Sequence, residues 1–279
     1  MSPGLPILIS IPHGGVGIPE EVAGAVALDP PALSYYSDPA SERLFGFKAE
    51  VKAFASARVS RVIVDLNRPP YHLPPRRRDG VVKFQTSLGA PVWKEGMQPD
   101  IQAIHRLLLR HYFPYHAKLD SLLDSRKIAV AFDCHSMVPV GLPGQPDEGQ
   151  PRPLICLGNN GDRNGHPRRG ALCTCPPEWI RQLAERFRDE FPGAGSVTLN
   201  HPFSGGFISN AHYWHKGIPW IQVEVNRSLY EGGNSSPQQG ALLDMQRMER
   251  LKEIIRGVLS MWYMEVVKED SRTPPLFQE

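Results

Sequence analysis

Apolar residues follow two kinds of pattern along the chain. Six short runs, Pro6–Ile11, Ser60–Leu66, Ile128–Asp133, Leu154–Gly158, Ser196–Leu199 and Trp220–Val225, are nearly continuous and mostly carry β-branched residues. Runs of this length predict strands of a sheet covered on both faces. Between them lie stretches with apolar residues at helical spacing: Ser41–Ala53, Asp100–Leu123, Pro177–Phe191 and Ser236–Val267. In the second, Ile101, Ile104, Leu107 and Leu108 mark one face, and Pro114 is expected to break or kink the helix because it has no N–H to donate. In the last, Ser236 and Gln239 have capping-box spacing with Pro237 at the first helical position, and Leu251, Ile254, Ile255, Val258, Leu259 and Trp262 line one stripe. Strands alternating with helices imply an α/β sandwich around a mainly parallel sheet. The Gly- and Pro-containing stretches Pro69–Asp79 and Val138–Pro153 are embedded between strands, which suits binding loops better than linkers. Residues 1–268 are therefore expected to form one domain, followed by a frayed tail over 269–279.

Composition removes several function classes. The net charge is only +2, and Arg76-Arg77-Arg78, behind two prolines, is the only basic cluster of note. A nucleic-acid partner would call for a broader basic stripe. The apolar run at Leu5–Ile11 is too short for a membrane span and no basic residue precedes it, so a cytosolic protein without a membrane partner is expected. Of the four cysteines, Cys134 and Cys156 sit in strand-like runs as small hydrophobes. Cys173-Thr174-Cys175 lacks the second Cys/His pair of a structural zinc site.

The chemistry collects where strands are expected to end. In open α/β sheets, ligands bind outside the carboxyl ends of the strands. Four expected strands run into Pro12-His13-Gly14-Gly15, Asn67-Arg68-Pro69-Pro70, Asp133-Cys134-His135-Ser136 and Glu224-Val225-Asn226-Arg227. His13 and His135, delivered from separate strands, suit a catalytic zinc site, which needs three protein ligands and an open position. Asp133, two residues before His135, points to the same side in extended geometry and could orient an imidazole. The third ligand is Asp38 or Glu42. Asp38 could instead only cap a helix, and Glu42 could face solvent. Glu224, between Val223 and Val225, is a buried carboxylate that needs a job or a partner. It is the candidate general base, the alternative being an ion pair with Arg227 or Arg68. Arg68 and Arg227 offer forked donors for a substrate carboxylate, Asn67 adds an amide, and Ser204-Gly205-Gly206 could form a backbone cradle or flap.

These pieces resemble the N-formylglutamate amidohydrolase family. The matching segments are Ile11-Pro12-His13-Gly14-Gly15, Ser37-Asp38, Val64-Asp65-Leu66-Asn67-Arg68-Pro69-Pro70, Phe132-Asp133-Cys134-His135-Ser136-Met137, Leu157-Gly158-Asn159-Asn160-Gly161, Phe203-Ser204-Gly205-Gly206-Phe207-Ile208 and Gln222-Val223-Glu224-Val225-Asn226-Arg227-Ser228-Leu229-Tyr230. They keep the family's order over about the first five-sixths of the chain. The resemblance, through relatives among zinc carboxypeptidases and aspartoacylase-type deacylases, implies a three-layer α/β/α fold with a mixed, mainly parallel sheet. It also implies one zinc ion per chain, His13 and His135 as ligands, Glu224 as general base and Asn67-Arg68 as a carboxylate-binding pair. Asp38 matches the family's acidic position best. The carboxypeptidase pattern puts a glutamate three residues after the first histidine, where this chain has Val16. Pro39 and Ile208–Tyr213 also depart from the family's pattern. The expected reaction is hydrolysis of N-formyl-L-glutamate. The alternatives are another N-acyl amino acid or peptide as substrate, or metal and ligand binding without turnover.

Overall fold

The structure is a computed structural model that describes residues 4–38, 40–233 and 235–270. Its centre is a six-stranded sheet. In chain order the elements are β1 (Leu5–Ile11), α1 (Pro30–Tyr36), α2 (Ser41–Leu44), β2 (Val51–Ser56), α3 (Ile101–Leu107), α4 (Phe113–Ser125), β3 (Val130–Met137), β4 (Ile155–Gly158), α5 (Pro177–Glu190), β5 (Val197–Leu199), α6 (Phe207–Lys216), β6 (Trp220–Asn226) and α7 (Met245–Trp262). The strands lie in the order β2-β1-β3-β6-β4-β5. All neighbours are parallel except β4 and β6, so the sheet is mixed.

Parity along the strands decides what each face buries. Ile7, Ile9, Ile11, Phe132, Cys134, Ile221, Val223 and Val225 point to one face, where they pack against α5 and α7. On the other face, Leu8, Ala131 and Trp220 pack against residues of α3, α4 and α6. With helices on both faces, the fold is a three-layer α/β/α sandwich.

Several elements differ from the sequence expectation. Ser60–Leu66 is not a strand. Its apolar residues are buried in the second core cluster, but Ile63 and Val64 both bond back to the Ser60 carbonyl in tight turns. The second strand is Val51–Ser56, whose alternating burial follows the period of two expected of a strand. The helix expected over Ser41–Ala53 is accordingly the single turn α2. The helix over Asp100–Leu123 exists but passes through a π turn at Leu108–Tyr112, which puts Pro114 in the first turn of α4, where its missing N–H costs little. Ser236 does accept from the Gln239 N–H, but the turn closes at Gly240 (φ +76°), and α7 starts only at Met245 under an Asp244 cap. Helices α1 and α6 lie in segments for which the sequence reading gave no helix. The expected tail falls, beyond residue 270, outside the described residues.

Candidate active site

The face of the sheet that begins apolar turns polar toward the ends of β1, β3 and β6. Ser10 follows Leu8, Asp133 and His135 follow Ala131, and Gln222 and Glu224 follow Trp220. Register places Ser10 beside Asp133, Asp133 beside Gln222, and His135 beside Glu224. His135 and Glu224 therefore lie within their strands, which run on to Met137 and Asn226, beyond the ends the sequence reading gave them.

His13 arrives on the turn after β1. That turn runs against the Arg58 backbone so closely that a Cβ on Gly15 would lie 2.4 Å from the Arg58 carbonyl carbon, so only glycine fits. Asp38 comes from the segment between α1 and α2, tied to the same turn by its N–H to the His13 carbonyl at 2.8 Å. Its side chain does not cap α2. Oδ2 lies 3.6 Å from His13 Nδ1 and 3.7 Å from His135 Nδ1, and the two Nδ1 atoms are 3.0 Å apart. All three residues are 2% exposed. Glu42 lies elsewhere, bonded to Lys48 and Ser56, and Val16 is exposed.

Each outer nitrogen faces a carboxylate. His13 Nε2 meets Asp65 Oδ1 at 2.7 Å, and His135 Nε2 meets Asp133 Oδ1 at 3.0 Å. An ionised carboxylate only accepts, so His13 Nε2 carries its proton and that ring, when neutral, turns its Nδ1 lone pair toward Asp38 Oδ2. His135 Nε2 stands between Asp133 Oδ1, which accepts no hydrogen bond in this geometry, and the Asn67 amide at 3.1 Å, and its ring would offer Nδ1 in the same way once a cation replaces the Nδ1 proton. Three electron-pair donors then converge on one point. Ligand atoms held tetrahedrally by a zinc ion at 2.0–2.1 Å would be spaced by about 3.3 Å, so this donor set fits such an ion. Among the described residues, no other group of three or more His, Cys, Asp or Glu side chains does this.

Electrostatics describe the same demand for a cation. Burial and the nearby Arg61 push the His13 pKa down despite Asp65. His135 moves well above its ordinary value, because Asp133 and Asp38 overcome its burial. Burial works against ionisation of Asp38, but His13, His135 and Arg227 hold it well below the usual carboxylate range. Burial likewise opposes ionisation of Asp65, which Lys83, His13 and Arg61 keep ionised. Glu224 differs from both. Burial, reinforced by Asp38 and Asp133, raises it to about 7 against the pull of His135 and Arg61. Gln222 Nε2 donates to its Oε1 at 3.1 Å.

The remaining expected site residues are engaged with the protein. Arg227 donates to Ser136 Oγ, to the Tyr35 and Ser37 carbonyls, and to Asp38 Oδ1 at 2.8 Å. Arg68 pairs with Asp79 at 2.5 Å and stays part-exposed. Neither arginine forms the ion pair with Glu224 considered above. Asn67 uses both ends of its amide. Nδ2 donates to Asp133 Oδ2 at 2.8 Å and approaches His135 Nε2 at 3.1 Å, while Oδ1 accepts from the Ile208 N–H at 2.8 Å. Ser204-Gly205-Gly206 leads into α6, and a Cβ on Gly206 would lie 2.2 Å from Asn67 Nδ2. Sequence reasoning passed over Arg61, Lys83 and Gln222. Arg61 Nη2 and Lys83 Nζ bond to Asp65 Oδ2 at 3.2 and 3.0 Å. The spacing of Arg61 and Asp65 inside an apolar run was the available signal.

Comparisons with known proteins sort these features by family. The family model for N-formylglutamate amidohydrolase matches residues 5–231. The chain belongs to that family. N-formylglutamate deformylase of Pseudomonas putida is 30% identical over 242 residues, spanning 81% of this chain and 82% of that protein. The enzyme of the same name from Pseudomonas aeruginosa is 29% identical over 238 residues, with the same coverage. The crystal structure of N-formylglutamate amidohydrolase from Ralstonia eutropha JMP134 matches 96% of this chain and 95% of its own, with a TM-score of 0.72 at 20% identity, and so shares the fold. Family membership makes the chain a hydrolase acting on an amide bond. No helix among the described residues is long and apolar enough to cross a membrane.

Proposed function

We propose that this amidohydrolase releases formate from N-formyl-L-glutamate with the help of one zinc ion held by His13, Asp38 and His135. The observation that carries the reading is the convergence of His13 Nδ1, His135 Nδ1 and Asp38 Oδ2 at 3.0–3.7 Å, beside a carboxylate whose pKa lies near 7. When bound, zinc supplies Lewis acidity to the amide carbonyl and the attacking water.

The chain's own residues do the rest. Glu224 takes a proton from the attacking water on a carboxylate oxygen, and a pKa close to working pH lets it return that proton to the departing amine nitrogen. The Arg61 guanidinium, whose charge reaches Asp38 and Glu224, favours negative charge developing nearby. Asp65 holds the His13 imidazole in the tautomer that presents Nδ1, and the Asp133 charge beside His135 Nε2 favours the same for that ring. Arg227 braces Asp38 instead of meeting substrate. Arg68, part-exposed, exchanges its Asp79 partner for a substrate carboxylate, with the Ser204–Gly206 backbone alongside Asn67 bordering the same space. The substrate is thus a small acidic N-acyl amino acid, handled in the cytosol.

Formate and glutamate release by metal-stripped protein, before and after zinc addition, tests this. Zinc-restored release is expected. Zinc binding without release would move the substrate to another N-acyl amino acid. Failure to bind zinc would remove the mechanism.

A further inference from the structure

Outside the residues assigned any part in the site, two imidazoles, His116 half-buried and His212 buried, form a chain between α4 and α6. His116 Nε2 meets the Leu66 carbonyl at 3.0 Å, His116 Nδ1 meets His212 Nε2 at 3.0 Å, and His212 Nδ1 meets Asp120 Oδ1 at 2.9 Å. The ring centroids are 5.2 Å apart and the planes differ by 10°, as an in-line N–H···N bond between coplanar rings requires.

This chain closes a loop on one residue. Leu66 is bonded covalently to Asn67. His212 belongs to α6, whose first turn donates the Ile208 N–H to Asn67 Oδ1. Asn67 is therefore held from its own backbone through His116 and from its side chain through α6, and the His116–His212 bond joins the two arms. Its free end, Nδ2, meets Asp133 and His135. Building on the function proposed above, we infer that His116 and His212 are positioning residues: a strut that sets Asn67, and through it the Asp133–His135 pair, for the reaction.

Proton counting explains why histidines suit this strut. The Leu66 carbonyl and the Asp120 carboxylate only accept, so His116 Nε2 and His212 Nδ1 both donate, and a third proton lies between the rings when every link is made. Asp120 on α4 and Asp133 on β3 favour that extra charge. Burial opposes it, His215 on α6 adds a competing partner for Asp120 at 3.4 Å, and the Tyr112, Phe207 and Trp220 rings enclose the pair. The neutral pair keeps all but one link. Glutamine at position 116 can donate to the Leu66 carbonyl and accept from His212 Nε2, making every link when His212 carries both its protons, as the histidine pair does, whereas leucine can do neither.

The test is a double-mutant cycle on the full-length protein. His116→Leu should weaken zinc binding and lower kcat by about 10-fold, the low end for residues that orient metal ligands, with KM within about twofold. His116→Gln should restore most of both. In an Asn67→Ala background, His116→Leu should cost almost nothing more. Equal losses in both backgrounds, or equal behaviour of leucine and glutamine at 116, would overturn the strut. Should His116→Leu not fold, His116→Asn, polar but too short to span from His212 to Leu66, carries the same expectation. The Asn67 side-chain amide resonances, read by NMR without substrate or metal, should broaden or shift in His116→Leu and recover in His116→Gln. That readout separates failure of the strut from failure of the proposed reaction.

Discussion

The two faces of β3 and β6 have almost the same backbone and opposite chemistry. On the face toward α5 and α7, Phe132, Cys134, Val223 and Val225 are fully buried and wholly apolar. On the other, Ala131 and Trp220 give way within four residues to Asp133, His135, Gln222 and Glu224, also buried. Because side chains alternate, one strand can serve as core on one side and site on the other. Burial costs nothing on the first face. On the second it holds His13 down and raises Glu224 to about 7. The apolar face and its helices hold the strands rigid enough for the polar face to keep groups that water would otherwise claim.

The sharpest break between the faces is Glu224→Gln. The glutamine keeps the shape and can still accept from Gln222, but it cannot take a proton. Turnover should fall about two to four decades, with zinc content unchanged by metal analysis. Near-normal turnover would remove Glu224 as the base. Phe132→Ala, on the other face of the neighbouring strand, should do the reverse: about 3–5 kcal/mol lost in denaturant melts, with kcat per folded molecule nearly intact.

The same contrast explains what could be read from the chain. Five of the six strands were legible because their residues are apolar on both faces or end in polar clusters, and the candidate residues His13, Asp38 and His135, which the fold brings together, and Glu224, the register partner of His135, were among those named. The strand Val51–Ser56 was missed because it lies at an edge and alternates with Lys52 and Ser56, so its apolar residues also fitted a helical reading. Ser60–Leu66 was over-read because a buried turn can be as apolar as a strand. Proximity was the harder gap. Nothing local in the sequence says that Arg227 turns to Asp38 or that Asn67 spans β3 and α6, since both bonds join residues far apart in the chain.

The carboxylate at 224 also links activity to stability. Its pKa rises from 4.5 in the unfolded chain to about 7 in the fold. Between those values the folded state binds more protons, so this group's contribution makes stability fall as pH rises from about 4.5 to 7. At pH 8, removal of the charge in Glu224→Gln should stabilise the protein by up to roughly 3 kcal/mol, and the gain should vanish near pH 4. The matching kinetic sign is a kcat/KM that falls tenfold per pH unit below about 7. A variant no more stable than wild type at pH 8 would mean that the buried carboxylate is already compensated.

A smaller effect asks how far the polar face depends on its outer carboxylates. Asp65 holds His13 Nε2 at 2.7 Å while also meeting Arg61 and Lys83. Asp65→Asn preserves size and can still accept from the imidazole through Oδ1, but it removes the charge that favours the Nε2–H tautomer and leaves two cations short of a partner. Lys83 retains Asp79, so the fold should survive. The amide can also turn its NH2 toward His13, which would move the imidazole proton to Nδ1 and point it into the donor set. Zinc affinity should therefore drop about 10–100-fold by competition titration, while Asp79→Asn, which leaves His13 untouched, should change it little. If the two variants lost affinity equally, the effect would come from the net charge of the Lys83 cluster and not from the orientation of His13.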